Sequence, residues 1–171
     1  CRRYRDLFLI LLHTGLRAGE CAGLTVEDIH LHSGYLQVDH QVYYSPEQGG
    51  MVWAPPKTEK SCRKIPLTAP AAEALQRRIL VARQFGRCQV IGQRRHFLFP
   101  CLNGSRPLHG VDFDRIFRNV HRRYAQSDGI PIAALTPHIL RHTFCTNMQQ
   151  AGIDIKSLQY LMGHSNASVT L

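Results

Sequence analysis

Residues 4–13 read Tyr-Arg-Asp-Leu-Phe-Leu-Ile-Leu-Leu-His. At about 100° per residue, Leu7, Phe8, Ile10, Leu11 and Leu12 cover nearly the whole circumference of a helix. A helix that is apolar all round is a buried one, so the chain must fold around this segment. The run Leu7 to Leu12 is far too short to span a bilayer. Thr14-Gly15 offers a glycine stop. Leu16-Arg17-Ala18-Gly19-Glu20 then sets one arginine between two apolar segments, with a glutamate three residues on. A charge rarely enters such a context without a partner. Two readings stay open: a buried Arg17–Glu20 pair, or an arginine held by Glu20 and aimed into a cleft.

At 171 residues the chain suits a single domain whose core needs no disulfide or metal. Lys+Arg 21 against Asp+Glu 12 leaves a formal charge of +9, which suits a polyanion partner such as nucleic acid or, as the weaker alternative, an anionic membrane surface. The six cysteines form no CxxC pair and read as thiols of a reducing cytosol. No signal peptide is visible. The chain begins at Cys1, inside a helical pattern, so a piece of a longer protein is expected.

Farther along, Thr25-Val26-Glu27-Asp28 reads as a capped short turn. Tyr35–Tyr44 alternates in polarity as a strand does, followed by strands at Met51–Ala54 and Arg63–Leu67. The expectation is a three-stranded antiparallel meander whose tip gathers Lys57, Lys60, Arg63 and Lys64. Such a tip is either a solvated turn or a phosphate probe. Helices are expected over about Pro70–Phe85 and Val111–Tyr124, each with an apolar stripe and an arginine-bearing outer face.

Thr136-Pro137 starts another helix, with threonine as cap and proline at the first helical position. His138 and Arg141 stand three apart and share a face near His142 and Cys145. Leu140, Phe144 and Met148 form the opposite stripe, which is expected to pack inward. Asp154 caps a shorter helix through Met162, with Ile155, Leu158 and Leu161 inward and Tyr160 in the core, and Gly163-His164 is a sharp turn.

Arg17, Lys57, His138, Arg141 and His164 form a cationic set without an acidic cluster. Guanidiniums can neutralise a phosphodiester, lysine can protonate a departing alkoxide, and histidines can share protons. The acidic residues are too scattered to form a metal set. His138 and His142 have the spacing of a zinc helix, but Ile139 stands where a zinc protease carries its glutamate. No GxSxG is present.

These residues carry a resemblance. Thr14-Gly15-Leu16-Arg17-Ala18-Gly19-Glu20 resembles the first arginine box of the tyrosine recombinases, the phage-integrase family. Pro56-Lys57-Thr58 resembles its hairpin lysine. Thr136-Pro137-His138-Ile139-Leu140-Arg141-His142-Thr143 resembles its H-x-x-R box, and Leu161-Met162-Gly163-His164-Ser165 its second histidine motif. The order and separations match over essentially the whole chain, in wording closest to integrases of conjugative transposons.

The resemblance implies a mixed α+β fold, mainly helical, with a small three-stranded antiparallel sheet. It implies strand cleavage and rejoining through a 3′-phosphotyrosine, without a cofactor or metal. Arg17 and Arg141 would clamp the phosphate, Lys57 would be the general acid, and His138 and His164 would move protons. Lys60, Arg63 and Lys64 are expected DNA contacts. The partner would be double-stranded DNA at att-like sites, with a homotetramer on DNA, an accessory directionality factor and no membrane. The setting would be the cytoplasm, in a bacterial or mobile-element-encoded protein. The nucleophilic tyrosine is expected shortly after Leu171, so residues 1–171 would be a catalytic domain lacking its tyrosine helix and its N-terminal core-binding domain. As given, they would hold phosphate without cutting DNA. The alternatives are a type IB topoisomerase-like enzyme and a DNA-binding remnant without catalysis.

Overall fold

The structure is a computed structural model that describes residues 2–56, 61–84, 90–126 and 134–163. Among these residues, six α-helices pack with small antiparallel sheets: α1 (Arg5–Thr14), α2 (Ala18–Gly23), α3 (Ala69–Gln84), α4 (Gly110–Ala125), α5 (Pro137–Gln150) and α6 (Ile155–Met162). The apolar first helix lies at the centre, as its composition requires. Leu7, Ile10 and Leu11 share one core with Leu75 of α3, with Phe113 and Phe117 of α4, and with sheet residues Leu36 and Ile65. Phe8 meets Phe117 ring to ring at 4.5 Å. A second cluster joins Phe144 and Cys145 of α5 to Leu158 and Met162 of α6. None of the described helices is long and apolar enough to cross a membrane.

The sheet departs from the expected meander. The strands are β1 (Ile29–His30), β2 (Tyr35–Val38), β3 (Gln41–Ser45), β4 (Gly50–Ala54) and β5 (Arg63–Pro66). They form a three-stranded sheet of order β1-β2-β5 and a separate β3-β4 hairpin. The alternating stretch 35–44 is therefore two strands broken at Asp39-His40. The break follows from burial of a polar ring: His40 is 3% exposed, and its Nε2 donates to the Gly23 carbonyl at 2.8 Å. That bond ties the chain to α2 and sends β3 off as a hairpin.

β5 pairs with β2, Val38 opposite Arg63 and Leu36 opposite Ile65. Strand side chains alternate between faces, so Arg63 and Ile65 point inward while Lys64 points out. The Lys64 ammonium lies 4.6 Å from the Tyr35 ring centroid. Arg63, expected at a basic tip, is instead only 1% exposed. Tyr160 is the reverse correction. Expected in the core, it is 49% exposed, and its hydroxyl accepts from the Lys64 backbone N–H at 3.0 Å. Ile155 is exposed too, so the buried stripe of α6 narrows to Leu158 and Met162.

Candidate active site

Two turns built on glycine frame the site. α1 ends at Gly15 in the left-handed conformation (φ 62°), and α6 ends at Gly163 in the same conformation (φ 60°). A side chain is disfavoured at such angles, and space excludes one as well. A Cβ on Gly15 would stand 2.4 Å from Phe144, and one on Gly163 would stand 2.9 Å from Arg63 Nη1. These turns bring two helix C-termini, with their outward-facing carbonyls and partial negative charge, to one place.

Arginines answer those carbonyls. Arg141 donates through Nη1 to the Gly15 carbonyl and through Nη2 to that of Met162, so one guanidinium braces α1 against α6. Arg63 Nε donates to the Leu161 carbonyl at 2.7 Å. Arg17 Nη2 donates to the Gly163 carbonyl at 3.1 Å. Three successive carbonyls at the end of α6 are thus each held by a different arginine.

Glu20 is the counter-charge. Its Oε1 accepts from Arg17 Nη1 at 2.9 Å and from Arg63 Nη1 at 3.0 Å. Its Oε2 accepts from Arg63 Nη2 at 2.8 Å and from the Arg17 backbone N–H at 2.9 Å. Both readings of Arg17 are thereby combined: it pairs with Glu20, yet its side chain stays 40% exposed. Burial alone would raise the Glu20 carboxyl, but hydrogen bonds and charge from Arg63, then Arg17, hold it down at about 2. Arg141 moves the other way for a cation. Burial and the fields of Arg17 and Arg63 push it down to about 10, with Glu20 opposing.

Arg17, His138 and Arg141 line one cleft of about 570 Å³, floored by Leu16, Ala18 and Pro137. The N-terminus of α5 opens on the same side. Its cap is the expected one: Thr136 Oγ1 accepts from the Ile139 N–H at 3.2 Å, with Pro137 in the first turn. Arg141 and Cys145, expected on the polar face with His138, turn inward instead, at 4% and 7% exposure. The exposed face keeps His138 and His142, whose Nε2 atoms lie 2.8 Å apart. One ring therefore donates to the other.

Lys57, Lys60 and His164 lie outside the described residues. A metal reading gains little. Asp28, Asp39 and His40 bring three ligand atoms within 4.8 Å of one another. There, however, Arg94 Nη1 lies 3.2 Å from Asp28 and Nη2 lies 3.6 Å from Asp39, so a guanidinium already supplies the positive charge.

Comparison with known proteins decides the family. The model of the phage integrase family matches residues 2–171. The chain belongs to the phage integrase family. Among its relatives, the transposase from transposon Tn916 of Enterococcus faecalis is 36% identical over 167 residues, which is 97% of this chain and 40% of that protein. Tyrosine recombinase XerD of Proteus mirabilis is 31% identical over 169 residues, 98% of this chain and 46% of that one. Among solved structures, the Tn1549 transposon integrase in complex with transposon right end DNA superposes with a TM-score of 0.91 at 36% identity, covering 99% of this chain and 53% of that one. XerA recombinase shares the fold, with a TM-score of 0.70 at 21% identity over 98% of this chain and 50% of that one. This phage integrase family chain spans about half the length, or less, of these relatives.

Sequence reasoning missed Arg63 as a partner of Glu20. The signal was present in the β5 alternation: if Ile65 faces the core, so does Arg63, and a buried arginine needs a carboxylate.

Proposed function

We propose that this chain is the catalytic domain of a site-specific DNA recombinase that cuts and rejoins DNA through a 3′-phosphotyrosine. The observation that carries the reading is the convergence of Arg17 and Arg141 on one cleft beside His138. Arg17 and Arg141 bring two guanidiniums to this cleft, whose lining also holds the Asp114 carboxylate. A phosphodiester brings one negative charge, and its pentacovalent transition state carries two. Cations held where the transition state gathers charge stabilise it more than the ground state, which is the condition for catalysis.

The step is a transesterification. A tyrosine oxygen attacks phosphorus while the bond to the 5′-oxygen breaks. Arg17 and Arg141 neutralise the non-bridging oxygens. The phenol proton leaves through the histidines, His138 and His164, and Lys57 protonates the departing 5′-oxygen. A 5′-hydroxyl of a partner strand reverses the step, so bond energy is kept and no ATP is needed. The substrate would be double-stranded DNA at att-like sites; DNA as the partner is supported by the Tn1549 integrase in complex with transposon right end DNA. Assembly as a tetramer on DNA, an accessory directionality factor and a cytoplasmic setting belong to this same proposal.

The test uses the full-length protein and a DNA substrate nicked near the cleavage site, which traps the covalent adduct. An adduct lost on Arg141→Ala but kept on Arg83→Ala is expected. DNA bound without any adduct would leave a DNA-binding remnant. Relaxation of supercoils at arbitrary sequences, without joining of two sites, would indicate a topoisomerase.

A further inference from the structure

Phosphate chemistry explains Arg17 and Arg141 but not Arg63. At 1% exposure, Arg63 is out of reach of DNA. Yet each of its nitrogens is engaged: Nε with the Leu161 carbonyl, Nη1 with Glu20 and the Ser61 carbonyl at 3.1 Å, and Nη2 with Glu20. It thus links three separate pieces of chain: its own loop before β5, the first turn of α2, and the last turn of α6. Two of these links bear on residues of the proposed reaction. Glu20 also holds both the side chain and the backbone of Arg17. Leu161 directly precedes Met162, the acceptor for Arg141. Gly163 is pressed between Arg63 and Arg17, whose Nη1 atoms would stand 2.9 Å and 3.4 Å from a Cβ there.

We infer that Arg63 is a positioning residue for DNA cleavage, fixing Glu20 and the C-terminal end of α6 at Gly163 and through them the aim of Arg17. The inference rests on the recombinase reading above. Arginine is required by geometry. Two Nη atoms grip the carboxylate while Nε, on the side of the fork, reaches a carbonyl; a lysine ammonium is one point and cannot span both. Small displacements matter here, because misplacing a reacting group by about 1 Å can cost on the order of 100-fold in rate.

The experiment compares full-length wild type with Arg63→Lys and Arg63→Ala on the nicked substrate, measuring DNA affinity, adduct formation at saturating DNA, and Tm. Both variants are expected to bind DNA within about threefold of wild type and to form adduct at least tenfold more slowly. Millimolar guanidinium should restore part of the Arg63→Ala rate by filling the vacated site. If Arg63→Ala does not fold, Arg63→Lys, which keeps the charge and loses the fork, decides. Three outcomes overturn the inference: wild-type rates, a rate that returns fully when the assay is cooled well below the variant's Tm, or weakened DNA binding with an unchanged saturated rate. A wild type that forms no adduct overturns the recombinase reading itself, and this role with it.

Discussion

Glu20 grips Arg17 at both ends, with Oε1 on the guanidinium at 2.9 Å and Oε2 on the backbone N–H at 2.9 Å. The carboxylate is 6% exposed and shared with the buried Arg63. Removing it would leave the Arg63 charge buried without its partner. Breaking one side of a buried pair costs about 3–5 kcal/mol, well above a typical surface substitution. Glu20→Ala should therefore lose stability on that scale in urea unfolding. Arg77→Ala breaks the exposed pair with Asp6 and should leave the unfolding midpoint nearly unchanged.

The same carboxylate makes stability depend on acid. Its folded pKa, about 2, lies below the ordinary 4.5, so its contribution is fully present above pH 4.5 and is lost as pH falls toward 2. At about 1.4 kcal/mol for each tenfold change in proton affinity, the loss is roughly 3 kcal/mol. Asp112, which burial raises and Arg106 more than offsets, is lowered in the same sense and adds to the slope. The difference between wild type and Glu20→Gln isolates Glu20. That difference should shrink steadily between pH 4.5 and 2 when unfolding is followed by circular dichroism.

Much of this was legible from local chemistry. The all-apolar first helix had to be central, and Thr14-Gly15, Thr136-Pro137 and Asp154 mark ends that the structure keeps. What was not legible depends on pairing across distance. Forty-three residues separate Glu20 from Arg63, and nothing near Arg63 names its partner. The break at His40 needs the Gly23 carbonyl of another element. Arg141 looked like part of a polar face because helical angle alone cannot tell that two helix ends with bare carbonyls lie on that side.

Lys64 and Arg63 are neighbours on opposite faces of β5, so their substitutions should differ in kind. Lys64 points to solvent, where the DNA contact expected of it from the sequence would lie. Losing one phosphate contact weakens binding across all sequences and lowers the salt slope by about 1. Lys64→Ala in the full-length protein should do this in a salt titration of DNA affinity, with adduct formation at saturating DNA unchanged. Arg63→Lys should leave the salt slope alone and slow the adduct.

Arg141 joins the Gly15 and Met162 carbonyls with one planar group. A lysine there has a single nitrogen and cannot reach both. A buried carbonyl left without a donor costs about 1–3 kcal/mol, so Arg141→Lys should be destabilised by that amount while remaining folded. Its effect on chemistry should be larger. The cleft keeps its charge but loses the planar guanidinium that the two carbonyls hold in place beside Arg17. Adduct formation should fall by on the order of 100-fold or more, the loss seen when one transition-state donor is removed. A drop in rate no larger than the drop in stability explains would argue that Arg141 only braces the helices.

Gly163 separates backbone strain from crowding. Gly163 and Gly152 both have positive φ, 60° and 81°, and an alanine in that region costs roughly 1–2 kcal/mol. Nothing lies within 4 Å of a Cβ on Gly152, whereas one on Gly163 meets Arg63 Nη1 at 2.9 Å and Cζ at 3.3 Å. That guanidinium is pinned by Glu20 and Leu161, so it cannot swing aside without giving up a bond. Gly163→Ala should therefore destabilise more than Gly152→Ala in parallel urea titrations. It should also slow adduct formation, because the crowding falls on the group that holds Glu20 and, through it, Arg17. If the two alanines cost the same and both leave the rate unchanged, the turn at Gly163 transmits nothing to the cleft.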